Sequence, residues 1–139
     1  MKRLFFILSV ILSLGFMNSF SVKEELIQGK FKLHSVSRIV TFTDIYTEYD
    51  RKEKTGSKVL KYSIQKTNPK IYEIHLSELD SIIINRKGGN LEMERLLYLK
   101  NGNTIQAQGI YHTFYFRRQT GRLLKCALTY VEKIKFQNN

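Results

Sequence analysis

The chain has one cysteine, one proline and no tryptophan in 139 residues, and beyond residue 21 it has neither a long apolar run nor sustained helical periodicity. Each shortage excludes something. A lone thiol, Cys126, closes no intramolecular disulfide, so stability rests on burial even in an oxidising compartment. Without apolar positions recurring every three to four residues, an α-helical core is excluded. Catalytic signatures are missing as well: no G-x-S-x-G elbow, no glycine-rich phosphate loop and no H-E-x-x-H or C-x-x-C spacing occurs. His34, His75 and His112 stand far apart, so neither a metal site, a cofactor nor an enzyme is expected. Carboxylates are scarce where it matters most, because Arg95 to Val131 contains none.

The one long apolar run lies at the start. Lys2-Arg3, the fourteen residues Leu4 to Met17 and the small-residue ending Ser19-Phe20-Ser21 have the layout of a secretory signal peptide. The run is shorter than the roughly 20 residues a membrane-spanning helix needs, which favours a removed leader, residues 1–21, over an uncleaved anchor. Ser19 and Ser21 suit a cut before Val22; a cut after Ser19 is the alternative and spares Ser21, which with Glu24 forms a capping box for a short helix through Leu26 and Ile27 to Gly29. The expected location is therefore outside the cytoplasm, periplasmic or secreted.

From Val22 onward the chain reads as one all-β domain. Turn residues bound short segments of period-two pattern: Phe31 to Val36, Arg38 to Thr43, Val59 to Gln65, Ile71 to Leu76, Ile82 to Ile84, Leu96 to Lys100, Thr104 to Arg118, Leu123 to Tyr130 and Val131 to Phe136. The polar stretch Asp50 to Ser57 is too charged to be anything but a solvated tip or a long hairpin end. Asn68-Pro69, Lys87-Gly88-Gly89-Asn90, Asn101-Gly102 and Gln119-Thr120-Gly121 mark turns, and Gly109 marks a bend in the longest segment. About nine or ten strands are expected, arranged as a small barrel or a sandwich.

A weak internal repeat divides these strands. Leu76-Ser77-Glu78-Leu79-Asp80-Ser81-Ile82-Ile83-Ile84 matches Leu128-Thr129-Tyr130-Val131-Glu132-Lys133-Ile134-Lys135-Phe136, and each copy follows an arginine and an apolar strand, Arg38-Ile39-Val40 or Arg95-Leu96-Leu97. Two halves, 30–87 and 91–137, follow from it. Over about 45 residues the second half, with its strand, Asn-Gly turn, strand and short closing strand, resembles an SH3-like or Sm-like small barrel, a resemblance of fold that carries no functional motif.

Charge is the other signal. The chain has 23 lysines and arginines against 12 acids; from Val22 to Glu94 there are 13 cations and 11 anions, whereas from Arg95 to Asn139 there are 8 cations and the single acid Glu132. Arg117, Arg118, Arg122 and Lys125 gather at one hairpin end, a setting suited to phosphate, sulfate or carboxylate groups. Beside them, strand alternation puts Tyr111, Tyr115 and Arg117 on one face, and His112, Phe114, Phe116 and Arg118 on the other. Tyrosines next to cations offer stacking surface, while Phe114 and Phe116 belong in a core. Cys126 reads as a small buried hydrophobe, and Glu78, Asp80 and Glu132 as turn or strand-start acids. The expected function is a binding module for an anionic partner: an acidic glycan, a lipid headgroup at a membrane surface, or a nucleic acid without a specific motif. The alternatives are an assembly subunit that oligomerises through strand edges and a carrier of a small apolar ligand.

Overall fold

A computed structural model describes residues 25–86 and 93–137. The expected leader, its capping box and the Lys87 to Asn90 turn lie outside the described residues. Among the described residues there are fourteen strands: β1 (Gly29–Leu33), β2 (Val36–Phe42), β3 (Asp44–Tyr46), β4 (Glu48–Asp50), β5 (Thr55–Ser57), β6 (Val59–Ser63), β7 (Tyr72–His75), β8 (Leu79–Arg86), β9 (Met93–Leu99), β10 (Thr104–Ala107), β11 (Gly109–Ile110), β12 (Thr113–Arg117), β13 (Leu123–Ala127) and β14 (Val131–Phe136). Short 3₁₀ turns at Leu76–Glu78 and Leu128–Tyr130 precede β8 and β14. No α-helix occurs among the described residues, so the chain is all-β. The helix expected through Leu26 and Ile27 is absent: residues 25–28 run irregularly into β1, and the Ile27 N–H donates to the Asp44 carboxylate at 3.0 Å.

The strands form a six-stranded sheet, β10-β9-β8-β14-β1-β2, two three-stranded sheets, β11-β6-β7 and β13-β12-β3, and the hairpin β4-β5. None closes into a barrel among the described residues. The count exceeds nine or ten because 44–57 holds three short strands, β3, β4 and β5, and the segment from Thr104 to Arg118 divides into three, β10, β11 and β12; two of these divisions are changes of sheet. β2 leaves the large sheet at Thr43, whose N–H donates to the Arg117 carbonyl, and continues as β3; β10 leaves it at Gln108, whose N–H donates to the Ser63 carbonyl, and continues as β11. Gly109 sits at the second corner, as its bend signal predicts, and a Cβ there would come within 3.0 Å of Ser63 Oγ and Tyr111 Oη. The charged 50–57 stretch is a hairpin whose solvent-exposed tip is held by Asp50, which accepts from the Lys52 and Glu53 N–H groups.

The internal repeat has a structural meaning. Each copy is a 3₁₀ turn leading into a strand, and those strands, β8 and β14, lie side by side antiparallel with Ile82 paired to its counterpart Ile134. A local two-fold axis therefore passes through that pair. It exchanges β9 with β1, β10 with β2, β11 with β3, β6 with β12 and β7 with β13, and it exchanges the two three-stranded sheets. The arginine part of the repeat does not hold: Arg95 on β9 corresponds to Gly29 on β1, and Arg38 lies on β2, because pairing register, not spacing along the chain, decides equivalence. Segments 30–87 and 91–137 interleave, since β1 pairs with β14, β3 with β12, β6 with β11 and β8 with β9.

One hydrophobic cluster underlies all three larger sheets. Phe114 and Phe116 are fully buried, and Phe116 stacks on Phe31 at 4.1 Å between ring centroids, tying β12 to the large sheet. Rings in such tilted or offset contact add to the area they bury. Ile82 and Ile84 are fully buried, with Ile83 half-buried between them on the other face of β8. Cys126 is half-buried against the cluster, and burial pushes its thiol pKa up, which keeps it protonated. Glu78 accepts from the His75 N–H as a turn cap, whereas the strand acids pair with lysines across the sheet, Asp80 with Lys135 at 2.7 Å and Glu132 with Lys32 at 3.1 Å.

Candidate functional site

The turn between β12 and β13 is built locally: Gly121 takes φ +87°, its N–H donates to the Arg118 carbonyl, and the Arg118 N–H donates to the Arg122 carbonyl. That turn hangs Arg118 and Arg122 at the end of the sheet. Arg117, one residue earlier on β12, is held rather than free: its guanidinium donates to the Gly121 carbonyl at 3.0 Å and to Tyr49 Oη at 3.2 Å, and lies 5.9 Å from the Tyr46 ring centroid and 5.7 Å from that of Tyr49. Tyr46 and Tyr49 are 5.0 Å apart, and Tyr49 is 6.3 Å from Tyr115. Across the strands from Tyr115, Lys125 stands 5.8 Å from its ring. The outward face of β3-β12-β13, flanked by the β4-β5 hairpin, is thus a row of three tyrosines carrying two cations.

Behind the row is a buried ion pair. Lys58 Nζ and Asp44 Oδ1 are 2.8 Å apart with both side chains 2% exposed; the same oxygen accepts from the Ile27 and Ile45 N–H groups, and Lys58 also donates to the Glu25 carbonyl. Such satisfaction is what makes a buried charge tolerable. Lys58 sits 5.3 Å from the Tyr46 ring. Burial, and then the Asp44 carboxylate, push the Tyr46 phenol up to about 12, with Arg117 pulling the other way, so Tyr46 keeps its proton at neutral pH. Gly56 is required here, because a Cβ would fall 2.2 Å from Tyr46 Cδ1.

Among the described residues, no carboxylate lies within 4.0 Å of the charged groups of Arg117, Arg118, Arg122 or Lys125. Tyr115, Arg117 and Lys125 come together; Arg118 and Arg122 lie at the adjoining turn. Tyr111 is elsewhere. The strand expected to run on to Arg118 breaks between Ile110 and Thr113, so alternation does not carry across, and Tyr111 bonds Ser63 Oγ at 2.9 Å beside β6. His112, in the same break, is nearly buried: its Nε2 accepts from the Lys61 N–H at 2.9 Å, Nδ1 is 3.8 Å from Glu48, and burial holds its pKa below the usual histidine value. No group of three metal-binding side chains occurs among the described residues.

Tyr46, Tyr49, Asp44 and Lys58 escape notice in the sequence. Their one local signal is Tyr46 and Tyr49 flanking a polar loop, and nothing in their spacing brings them under Arg117. Compared with family models, with curated proteins and with solved structures, the chain gives no match.

Proposed function

We propose that the protein is an exported β-domain, periplasmic or secreted, that binds an anionic partner through the outward face of β3-β12-β13 and the turn that ends it. Its strands, on this reading, form two SH3-like or Sm-like units related by the local two-fold, each completed by strands of the other segment. The observation that supports the binding role most strongly is the way the cations are seated: Lys125 and Arg117 rest on tyrosines, and Arg118 and Arg122 project beside them without carboxylate neighbours. Positive charge is left uncompensated next to ring faces, which suits a chain of phosphate, sulfate or carboxylate groups bearing bases or sugars. Arg117 positions the turn; Arg118, Arg122 and Lys125 meet the ligand.

The test is binding to three polyanion probes: duplex DNA, a sulfated oligosaccharide and vesicles with anionic headgroups. At least one binds, and its affinity falls steeply with salt, roughly 40-fold between about 50 and about 200 mM if three cations displace counterions from duplex DNA. Arg122→Glu with Lys125→Glu abolishes that binding while the circular dichroism spectrum is kept. Salt-insensitive binding, or binding untouched by the double reversal, overturns the assignment.

A further inference from the structure

β2 is an edge strand of the six-stranded sheet. Which of its backbone groups are open follows from the pairing. The Gln137 N–H donates to the Gln28 carbonyl, so even-numbered residues of β1 turn toward β14 and odd-numbered ones toward β2; Phe31 and Gly29 then bond with Val40 and Phe42. Ile39 and Thr41 must turn their N–H and C=O groups outward. Thr43, the next residue in that phase, spends its N–H on the Arg117 carbonyl. Beyond that bond, 118–120 splays away from β2 and leaves a groove of about 240 Å³ between 38–41 and 118–120.

Two arginines flank the groove, Arg38 from β2 and Arg118 from the turn, and neither has a carboxylate within 4.0 Å among the described residues. Ile39, 60% exposed, and Val36, 45% exposed, add apolar contact to the same strand. The local two-fold supplies an internal control. On the equivalent edge, β10, the places of Arg38 and Arg118 are taken by Asn103 and Ile64, so the fold itself does not demand arginine there. A cation on an edge strand also deters a second copy of this chain, since antiparallel self-pairing of β2 would bring like charges together.

We propose that the open edge of β2 takes up an extended acidic polypeptide segment as an added strand, its backbone bonding Ile39 and Thr41 and its carboxylates meeting Arg38 and Arg118. This surface goes beyond the tyrosine face of β12-β13, and only Arg118 borders both.

The test uses the whole protein and a fluorescein-labelled peptide of alternating Val and Glu, with an alternating Val and Lys peptide as reference, read by anisotropy. The Glu peptide binds and the Lys peptide does not. Thr41→Pro, which removes an outward N–H at a position where an edge strand tolerates proline, weakens the Glu peptide about tenfold, whereas Gln106→Pro on the equivalent edge of β10 leaves it unchanged. Arg38→Glu with Arg118→Glu reverses the preference toward the Lys peptide, and decides the matter if Thr41→Pro fails to fold. Arg122→Glu with Lys125→Glu retains peptide binding, which separates this site from the polyanion face. The proposal is overturned if both peptides bind alike, if folded Thr41→Pro and the charge reversal both bind as the parent does, or if the edge instead supports a dimer that Thr41→Pro dissolves.

Discussion

The two three-stranded sheets are related by the local two-fold yet differ in how they treat charge. In β11-β6-β7, Lys61 faces Glu73 across the strands and Ser63 bonds the Tyr111 hydroxyl; at the equivalent places in β3-β12-β13, Tyr115 faces Lys125 and Arg117 lies over Tyr46. One sheet matches cation with carboxylate and hydroxyl with hydroxyl, and the other matches cation with ring. The positions just before β6 and β12 differ in the same spirit: Lys58 is buried with Asp44, while its counterpart His112 is buried as a neutral acceptor, and the counterpart of Asp44 is Gly109. Identical backbone pairing thus supports a neutral surface in one place and a basic one in the other. Side chains alone make the difference.

The contrast can be broken most severely at the buried pair. Lys58→Met leaves Asp44 charged in the interior and should cost about 3–5 kcal/mol, read as a lowered urea midpoint; Asp44→Asn with Lys58→Met should recover part of that loss. A midpoint unchanged in the single variant would mean that the carboxylate is solvated. Gly56→Ala comes next, at about 1–3 kcal/mol for forcing a methyl into the Tyr46 ring, and tyrosine fluorescence should change with it because the 46–49 stack is displaced.

At His112 the difference between the sheets becomes a difference in pH response. Burial keeps the folded pKa below the ordinary histidine value of 6.5, so the unfolded chain takes the proton first; stability is whole above that value and declines as pH drops below it. Replacement by Gln, which keeps an acceptor for the Lys61 N–H, should flatten this segment of the stability profile, and an unaltered slope would place the titration elsewhere. The smallest effect belongs to Asp80, whose carboxyl is held below the usual range first by its Lys135 hydrogen bonds. Its contribution is present above that range and fades as acid protonates it. Because the pair is largely solvated, Asp80→Asn should cost about 0.5 kcal/mol at neutral pH, measurable only by careful denaturant titration.

What the sequence reveals and what it hides divide along one physical line. Turns carry their own chemistry, and the Asn101-Gly102 and Gln119-Thr120-Gly121 turns stand where their residues place them, with Gly102 and Gly121 at positive φ. Alternation in β12 correctly assigns Phe114 and Phe116 to the interior. The repeat around Ile82 and Ile134 is legible as a pattern, but that its copies would pair with each other is a property of the sheet. The corner at Thr43 has no glycine to announce it, unlike that at Gly109. The tyrosine row is assembled from β3, β4 and β12, whose register only the closed core determines, so Arg117 could be singled out from sequence while Tyr46 and Tyr49 could not.

The pairing of β1 with β14 also bears on time. β1 meets β2 at once, but its other neighbour, β14, emerges on the order of ten seconds later at common synthesis rates, whereas β6, β7, β9, β10 and β11 have all their neighbours within their own stretch of chain. Until β14 arrives, β1 and β2 offer bare edges to any passing strand. Such a chain is slow to commit to its native form.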